Sequence, residues 1–301
     1  METLAGRGAV CVGGGSGVGR GIARGLAEVG ARVLVADIEE ANAARVRDEI
    51  VAAGGTGVAA GVDATDPDAL ADLARTAIGT LGAVHVLVHT VGVIAGTPLA
   101  AATEAEWGWF LELHLLSAVR TVNAFLPELR RHPGDAHIVV TASMAGLLAL
   151  PPAHTGGVNT GLYSVAKHAL VGYGEMLRGE LADEGIGVSV LCPGRVSSNL
   201  AATSARNRPA RFGGAFAGPP DGSEPPGAMP NEAVGPIVVR GILGDRAHIL
   251  THPEARPMVE RRQQALLGDF AYFSEAAGSS EAAGSSGSSG PTGPTGSSGP
   301  T

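Results

Sequence analysis

The sequence predicts an α/β protein with a single doubly wound domain, in which a parallel sheet is covered by helices on both faces. Three observations support this. Strand-like and helix-like segments alternate along most of the chain, which is typical of βαβ units. The strand-like segments are continuous apolar runs, as expected for strands buried on both faces. A glycine-rich turn follows the first of them, at an edge where such sheets bind ligands.

The elements follow from apolar runs, their periodicity and their end signals. The predicted strands cover residues 9–12, 32–37, 57–64, 84–93, 136–143, 187–194 and 247–252. The predicted helices cover residues 20–30, 39–55, 66–82, 103–131, 161–181, 231–243 and 254–270. Gly30 is a suitable residue to end the first helix, and Thr103 with Glu106 forms a capping-box pattern at the fourth. Pro236 leaves the start of the 231–243 helix open.

Composition limits the kind of protein. The chain has 301 residues, 45% of them hydrophobic, and a formal net charge of −8. The negative charge argues against nucleic acid or an anionic membrane as a partner. No apolar run approaches the length of a membrane span, and the first residues lack a signal-peptide pattern. We therefore expect a cytoplasmic protein, with Cys11 and Cys192 as buried thiols and not as a disulfide.

The last part of the chain differs from the rest. Residues 274–301 contain EAAGSS twice in tandem and GPT three times. Because this segment has no large apolar side chain, burial cannot offset the entropy lost on ordering it. The sequence thus predicts one domain over 1–273 and a flexible low-complexity tail over 274–301. Within the domain, residues 199–229 are rich in Gly, Pro and Ala and are expected to be irregular.

A glycine loop, VCVGGGSGVGRGIA, joins the first strand to the first helix. Gly13, Gly17 and Gly19 carry no Cβ, so the turn is tight and the backbone can approach a phosphate at the helix N-terminus. A tight strand-to-helix turn without a ligand would need similar glycines. The loop alone is therefore a weak sign of dinucleotide binding.

Asp37 strengthens the case for a dinucleotide. It ends the second strand, close to where an acidic residue accepts hydrogen bonds from an adenosine ribose. Ile38 is neutral and no Arg or Lys lies within 13–19, so nothing there would neutralise a 2′-phosphate. These residues favour NAD over NADP, while Arg20, just past the loop, leaves NADP open.

Lys167 is the only lysine in the chain. It follows Tyr163 by four residues, so both lie on one face of the predicted helix. A phenol titrates near 10, and a neighbouring ammonium favours the phenolate. A compact ammonium can also bind a ribose hydroxyl. The pair therefore indicates acid/base chemistry beside a nucleotide; the alternative is an incidental surface lysine.

Five motifs in order resemble the short-chain dehydrogenase/reductase family over roughly residues 6–270: GGGSGVG, VDA, TASMAG, YSVAK and CPGRVSS. The resemblance implies a Rossmann-type fold and hydride transfer between a nicotinamide cofactor and a secondary alcohol or ketone. It implies that Tyr163 is the general acid/base, that Lys167 lowers its pKa and holds the ribose, and that Ser143 binds the substrate oxygen. The cofactor-binding candidates are Gly13, Ser16, Gly17, Val18, Gly19, Asp37, Asp63, Ala64, Thr90, Gly92, Tyr163, Lys167, Pro193, Val196 and Ser198.

The sequence departs from the family pattern in several places. Val12 stands where the family usually has Thr, and HTVG at 89–92 replaces an N-N-A-G run. His114 replaces an Asn that helps to hold a water in a proton relay. Because imidazole both donates and accepts hydrogen bonds, His114 is a catalytic candidate; the alternative is a partly buried helix residue. The segment 150–162 is longer than the family pattern and is expected to form a loop at the mouth of the site.

The resemblance also locates the substrate end and the assembly. Residues 199–229, called the lid segment below, stand where the family has its substrate lid. Phe212, Phe216 and Met229 there indicate apolar contact with a hydrophobic substrate. The family resemblance further implies a homo-oligomer, a tetramer or a dimer, paired through helices 103–131 and 160–184.

Other functions fit the residues less well. Ser164 and Lys167 form S-x-x-K, but the K-T-G that penicillin-binding proteins also need requires a second lysine. His248 and His252 lack the H-E-x-x-H context of a metal site, so no metal is expected. A methyltransferase would explain neither the Tyr nor the Lys of Y-x-x-x-K. The open alternative is a dinucleotide-binding sensor or scaffold with little turnover, motivated by His114 and opposed by the intact Ser, Tyr and Lys.

Overall fold

The computed structural model describes residues 1–150, 159–217 and 227–284, with side chains up to 274. The chain divides into two compact units, Met1–Pro253 and Glu254–Thr301. This boundary lies before residue 273, where the composition predicts that the domain ends. The predicted insertion at 150–162 falls mostly outside the described residues.

The first unit contains a seven-stranded parallel sheet in the order β3-β2-β1-β4-β5-β6-β7, which confirms the predicted fold class. Its strands are β1 (Gly8–Val12), β2 (Arg32–Asp37), β3 (Thr56–Gly61), β4 (Val86–His89), β5 (Ala136–Thr141), β6 (Ile186–Cys192) and β7 (His248–Leu250). The helices of the chain are α1 (Gly17–Glu28), α2 (Glu40–Ala52), α3 (Pro67–Leu81), α4 (Glu104–Leu111), α5 (Ser117–Leu129), α6 (Gly161–Leu181), α7 (Leu200–Arg206), α8 (Val234–Leu243) and α9 (Arg256–Gly284).

The centre of the sheet determines where a ligand can bind. Val12 at the end of β1 pairs with Ala36 on one side and His89 on the other, so the strand ends are level. The chain runs from β1 outward to β2 and β3 and then returns to β4 beside β1. This reversal opens a crevice beyond the carboxyl ends of β1 and β4, the usual ligand site of doubly wound sheets.

The predicted long helix over 103–131 is present but is not α-helical throughout. It begins as expected with the Thr103–Glu106 capping box, but a π-helical turn, Glu112–Leu116, separates α4 from α5. A π turn inserts one residue into the helical ladder and changes the direction of the side chains it carries. His114 lies in this turn and is fully buried.

Two segments contain more helix than the sequence predicts. The lid segment, expected to be irregular, contains α7 and a 3₁₀ turn at Ala210–Phe212; Leu and Ala in α7 are good helix formers. In the second unit α9 continues through Gly284, into the predicted tail, where Glu and Ala of EAAG favour helix. The rest of the tail lies outside the described residues.

Smaller differences occur at element ends. Five strands end two to four residues earlier than predicted, so the residues that follow them lie in loops. They are β3 at Gly61, β4 at His89, β5 at Thr141, β6 at Cys192 and β7 at Leu250. Pro236 lies in the first turn of α8, where its missing N–H costs no helical hydrogen bond. Cys11 and Cys192 are buried free thiols, as predicted. Among the described residues, no helix has the length and apolarity needed to cross a bilayer.

Candidate active site

A cavity of about 670 Å³ lies beyond the carboxyl ends of the central strands. The loops after β1, β2 and β3 contribute predicted residues at one side: Gly13, Ser16, Gly17, Val18, Gly19, Asp37, Asp63 and Ala64. The loops after β4, β5 and β6, the π turn and α6 contribute the others: Thr90, Gly92, His114, Ser143, Tyr163, Lys167, Pro193, Val196 and Ser198. One continuous cavity therefore joins the glycine loop to the Ser–Tyr–Lys group.

The glycine loop leaves the start of α1 open to a ligand. Ser16 is the N-cap residue, yet its side chain makes no capping hydrogen bond, so the first N–H groups of α1 are free for an anion. Gly17 has φ +48°, and a Cβ there would lie 2.6 Å from Cβ of Ser198. Only glycine keeps the loop and the strand β6 exit this close, which explains the glycine at this position.

Thr90 links the end of β4 to the glycine loop. Its Oγ1 donates to the carbonyl oxygens of Val12 and Gly13 at 3.0 and 2.8 Å. The hydroxyl thus ties the end of β4 to the start of the glycine loop. The backbone N–H of Thr90 also donates to Val12 O, at 2.8 Å.

Asp37 is held by the backbone of two loops. Its Oδ2 accepts from Gly15 N at 2.9 Å and its Oδ1 from Glu39 N at 3.1 Å. Burial raises the pKa of this carboxyl, and the two backbone hydrogen bonds oppose the shift. Ile38 beside it is 55% exposed. Carboxylate oxygens have further lone pairs, so Asp37 can still accept from ribose hydroxyls.

Arg20, the cation for which the sequence left NADP possible, is bonded to residues outside the glycine loop. Arg20 donates to Glu49 at 2.8 Å and to Asn231 at 2.6 Å. Arg45, which the sequence analysis did not single out, lies nearer to the loop and donates to the Gly15 carbonyl at 3.0 Å. Arg45 also pairs with Glu49 at 3.4 Å.

The lid segment reaches across to the loop after β2. Arg206 and Asn207 donate to the Glu39 carboxylate at 2.9 and 2.7 Å, and Glu39, Asn42 and Asn207 line the cavity. The sequence analysis missed these residues because their partners are more than 160 positions apart along the chain. The only local signal was an acidic residue two positions after Asp37.

Ser143, Tyr163 and Lys167 meet where β5, α6 and β6 converge. Ser143 Oγ accepts from Ala145 N at 3.1 Å and donates to Pro193 O at 3.3 Å. Lys167 is 3% exposed, and its Nζ donates to Thr141 O at 2.7 Å. The same Nζ lies 5.6 Å from the centroid of the Tyr163 ring. Lys167 is therefore not an incidental surface residue.

Burial affects the protonation of both Tyr163 and Lys167. Burial raises the pKa of the Tyr163 phenol, and a hydrogen bond with Ser143 acts in the opposite direction. Burial also lowers the pKa of Lys167 to about 7. In a protein environment of low polarity, both groups resist charging.

His114 has a defined orientation. Its Nε2 lies 2.8 Å from Val93 O and 3.2 Å from Val93 N. In the tautomer that donates from Nε2 to the carbonyl oxygen, the shorter contact, Nδ1 is an acceptor. This Nδ1 is buried and has no partner among the described residues. A Cβ on Gly92 would lie 3.0 Å from Nδ1 and 3.5 Å from Lys167 Nζ. The unpartnered Nδ1 and the ammonium thus border the same small space.

The substrate side of the cavity is largely apolar, but the residues that line it are not the ones predicted. Apolar lining comes from Ile94, Trp109, Leu113, Met144, Leu150 and Leu200. Phe212 and Phe216 pack against the cluster around Trp109, and Met229 bridges to Val196 and packs on the core. The lid segment contributes Leu200, Thr203, Ser204 and Asn207 to the lining instead.

Comparison with known proteins agrees with this geometry. The family profile described as short chain dehydrogenase matches residues 7–209. The chain is 35% identical over 194 residues to a 1-deoxy-11-beta-hydroxypentalenate dehydrogenase of Streptomyces avermitilis, with 64% of this chain and 69% of that protein covered. A cyclohexanol dehydrogenase of Acinetobacter is 31% identical over 195 residues, covering 64% and 74% of the two chains.

A solved structure extends the similarity to nearly the whole fold. A short chain dehydrogenase/reductase from Burkholderia phymatum, in complex with NAD, has a TM-score of 0.79 at 30% identity and covers 89% of this chain and 97% of its own. The chain therefore belongs to the short-chain dehydrogenase family. It is a dehydrogenase/reductase with a Rossmann-type fold.

Proposed function

We propose that the protein transfers hydride between a nicotinamide cofactor and an apolar secondary alcohol or its ketone. The single observation that supports this most strongly is the continuous cavity, which has the glycine loop, Asp37 and Asp63 on one side and Ser143 and Tyr163 on the other. A dinucleotide laid along it would place its phosphates at the open start of α1. The nicotinamide ring of the cofactor would then lie near Tyr163.

The residues of the chain fit such a cofactor without rearrangement. The first N–H groups of α1 would hold the pyrophosphate, Asp37 the adenosine ribose, and Lys167 the nicotinamide ribose. When bound, the nicotinamide ring supplies the hydride acceptor or donor. Everything else in the reaction is proton transfer and orientation by side chains.

Tyr163 is the proposed acid/base. For alcohol oxidation it removes the hydroxyl proton while the Ser143 hydroxyl holds the substrate oxygen. The buried phenol stays neutral in the protein, so it is ready to donate a proton for ketone reduction. In the reverse direction its deprotonation depends on the nearby positive charge of Lys167, held by Thr141 O.

His114 is proposed to hand protons on from this group. Its unpartnered Nδ1 and Lys167 Nζ border one space. An imidazole nitrogen can accept a hydrogen bond from a water or an ammonium there. The alternative role is packing: the His114 ring stacks on Phe110 and meets the edge of Tyr163 at 5.4 Å between centroids.

NAD is the proposed cofactor. The support is Asp37 with exposed Ile38, together with the pairing of Arg20 and Arg45 to Glu49. A 2′-phosphate would lie against the Asp37 carboxylate and would be repelled by it.

The substrate is proposed to be an apolar secondary alcohol or ketone because the lining beyond Tyr163 is mostly aliphatic and aromatic. The names of two relatives agree in chemistry. One acts on 1-deoxy-11-beta-hydroxypentalenate and the other on cyclohexanol, and both names specify an alcohol.

The direct test is a titration of NAD and NADP against a panel of cyclic and open-chain secondary alcohols, following absorbance of the reduced nicotinamide. We expect turnover with NAD and at least one apolar alcohol. Tight NAD binding by calorimetry without turnover of any alcohol, and without reduction of the matching ketones by the reduced cofactor, would instead favour the sensor or scaffold role. Absence of both binding and turnover would reject the proposal.

A further inference from the structure

Helix α9 carries large apolar side chains that are exposed in the described part of the chain. Every residue from 260 to 274 is exposed. The large apolar side chains among them are Leu266, Leu267, Phe270, Tyr272 and Phe273, which are 50% to 70% exposed. Soluble monomers rarely expose a contiguous apolar patch larger than a few hundred Å². This part of α9 is therefore suited to contact with another surface.

Most of these side chains share one face of the helix. Leu266, Phe270 and Phe273 are separated by four and three residues, so they lie in one row. Val259, half-buried, continues the row seven residues before Leu266, and Leu267 lies along one edge of it. This row, called the apolar stripe below, has the spacing at which two helices pack along a common seam.

Two charges of opposite sign border the other edge of the apolar stripe. Arg262 and Asp269 are seven residues apart, so they lie on the same edge, away from Leu267. Neither belongs to an ion pair among the described residues, whereas Arg256 on the same helix pairs with Glu260 at 2.6 Å. A surface that fits the stripe must therefore be apolar and must offer an acid to Arg262 and a base to Asp269.

A second copy of α9 in antiparallel orientation meets these requirements. If a two-fold axis passes beside Leu266, each Leu266 faces its equivalent and Val259 faces Phe273 of the second copy. Arg262 then lies beside Asp269 of the second copy, and the symmetry repeats this contact. One arrangement thus covers the stripe and pairs both charges.

The edge charges also favour the antiparallel orientation over the parallel one, since charges beside a helical seam determine orientation. Parallel pairing would put Arg262 beside the apolar Leu267 of the second copy. It would likewise put Asp269 beside Ser274, so neither charge would gain a counter-charge. An anionic membrane surface fits the stripe less well, because the Asp269 carboxylate borders it.

The area of such a contact is sufficient for a specific interface. Burial of the two phenylalanines of each copy would remove on the order of 500 Å² from water. With the leucines and Val259 the total reaches about 1,000 Å², the lower range of specific interfaces. A helix gains most of its stability from packing an apolar face, and Gly268 weakens α9 on its own. Pairing would therefore stabilise the helix as well.

We propose that α9 is an association surface for a second copy of this chain, and that the two α9 helices pair antiparallel through the apolar stripe. No described residue of α9 lines the catalytic cavity, so the pairing is independent of the proposed reaction. It is also additional to pairing through helices 103–131 and 160–184.

The test is disulfide cross-linking of full-length proteins that each carry one added cysteine. Cys11 and Cys192 are buried, so the added cysteine is the accessible thiol. The Val259→Cys and Phe273→Cys proteins, mixed under mild oxidation, should form a disulfide at least about tenfold faster than either protein alone, because pairing raises the effective thiol concentration. Leu266→Cys should cross-link to itself. Mass spectrometry of the disulfide-linked peptides identifies each product.

Gln264→Cys is the matched control, because position 264 lies on α9 away from the apolar stripe; it should cross-link only at the rate of random collision. The charges are tested in the Leu266→Cys protein. Adding Arg262→Asp should slow cross-linking about threefold or more, because it sets like charges beside each other. Adding Asp269→Arg as well should restore the rate.

Three results would overturn the proposal. Self-linking of Val259→Cys and of Phe273→Cys without the mixed product would show parallel pairing. Stripe cysteines that link no faster than Gln264→Cys, and that resist a water-soluble maleimide, would show that α9 packs on its own chain. The same slow linking, with sedimentation of the full-length protein on vesicles of phosphatidylcholine and phosphatidylglycerol, would show that the stripe binds lipid.

Discussion

Gly92 determines how closely His114 and Lys167 approach each other. A Cβ at this position would lie 2.7 Å from His114 Cε1 and 3.5 Å from Lys167 Nζ. The first distance is shorter than real Cβ contacts, so a larger residue would displace the imidazole. The position of the His114 ring therefore depends on glycine at position 92.

The pair can be tested with a double-mutant cycle. Gly92→Ala should lower kcat because its methyl group pushes His114 away from Lys167. His114→Asn in the same background should recover part of the loss, since the amide leaves room for the methyl. The interaction energy from kcat/KM of the four proteins should be about 0.5–3 kcal/mol. Additive effects would show that His114 and Gly92 are independent.

For individual residues, the sequence predicted which side chains form the site better than it predicted the contacts they make. The residues proposed from motifs all line the cavity, because each motif places its side chain at a strand end or on a helix face. The links to Thr90 and Glu39 depend on tertiary contacts that no local pattern encodes. The pKa direction of Tyr163 was likewise unpredictable, since it depends on burial.

The turn after β2 is the element that should determine the choice of cofactor. Asp37 is fixed there by the N–H groups of Gly15 and Glu39, and Ile38 points to solvent. We expect NAD to be preferred over NADP in kcat/KM. The double substitution Asp37→Ala and Ile38→Arg should move the preference toward NADP, because it removes the repulsion and supplies a cation.

The matched control for the cofactor is Ile38→Ala, which should leave the preference for NAD in place because the Asp37 carboxylate remains. Steady-state kinetics with both cofactors at one fixed substrate would measure the ratio. If the wild-type protein prefers NADP tenfold or more, the role given to Asp37 is wrong.

Element positions were predictable where the pattern was strong, as for β2 and α6, whose bounds match the sequence prediction. The π turn was not predictable, because residues 112–116 have the composition of an ordinary helix. His114 lies within this turn and is buried. The sequence also did not predict α7 or the extension of α9. Their residues favour helix locally, but they lie in segments whose overall composition indicates irregular structure.

For the whole molecule, buried histidines should determine the response to acid. Burial lowers the pKa of His89 to about 3, that of His137 to about 4, and that of His114 well below its usual value. In the unfolded chain all three titrate near 6.5. Below that pH the unfolded chain binds more protons than the folded one, so stability is present above about pH 6.5 and is lost as the pH falls toward 4.

Each of these histidines should contribute up to about 1.4 kcal/mol per pH unit to the loss of unfolding free energy in this window. Urea unfolding at several pH values would measure the slope. His137→Gln keeps a donor for Ser189 Oγ, which His137 contacts at 2.8 Å, and should reduce the slope by one histidine's share. An unchanged slope would show that His137 is not neutral in the folded protein.

The assembly of the molecule remains a prediction from the family resemblance. Apolar side chains are exposed on the two helical regions expected to pair, with Met176 on α6 66% exposed and Leu116 in the π turn 40% exposed. We expect a dimer or tetramer by light scattering at micromolar concentration, dissociated by Met176→Glu. Val51→Glu, at a comparably exposed site on α2, should leave it intact. A monomeric wild-type protein would contradict the expectation.

The account's central claim is that Tyr163 moves the proton in a reaction whose cofactor lies along the same cavity. The most direct measurement compares Tyr163→Phe with the wild-type protein in both turnover and NAD affinity. The substitution removes one hydroxyl, so we predict a loss of about 10² to 10⁴ in kcat with the NAD dissociation constant changed by less than about threefold. A variant that keeps most of its turnover would contradict the claim.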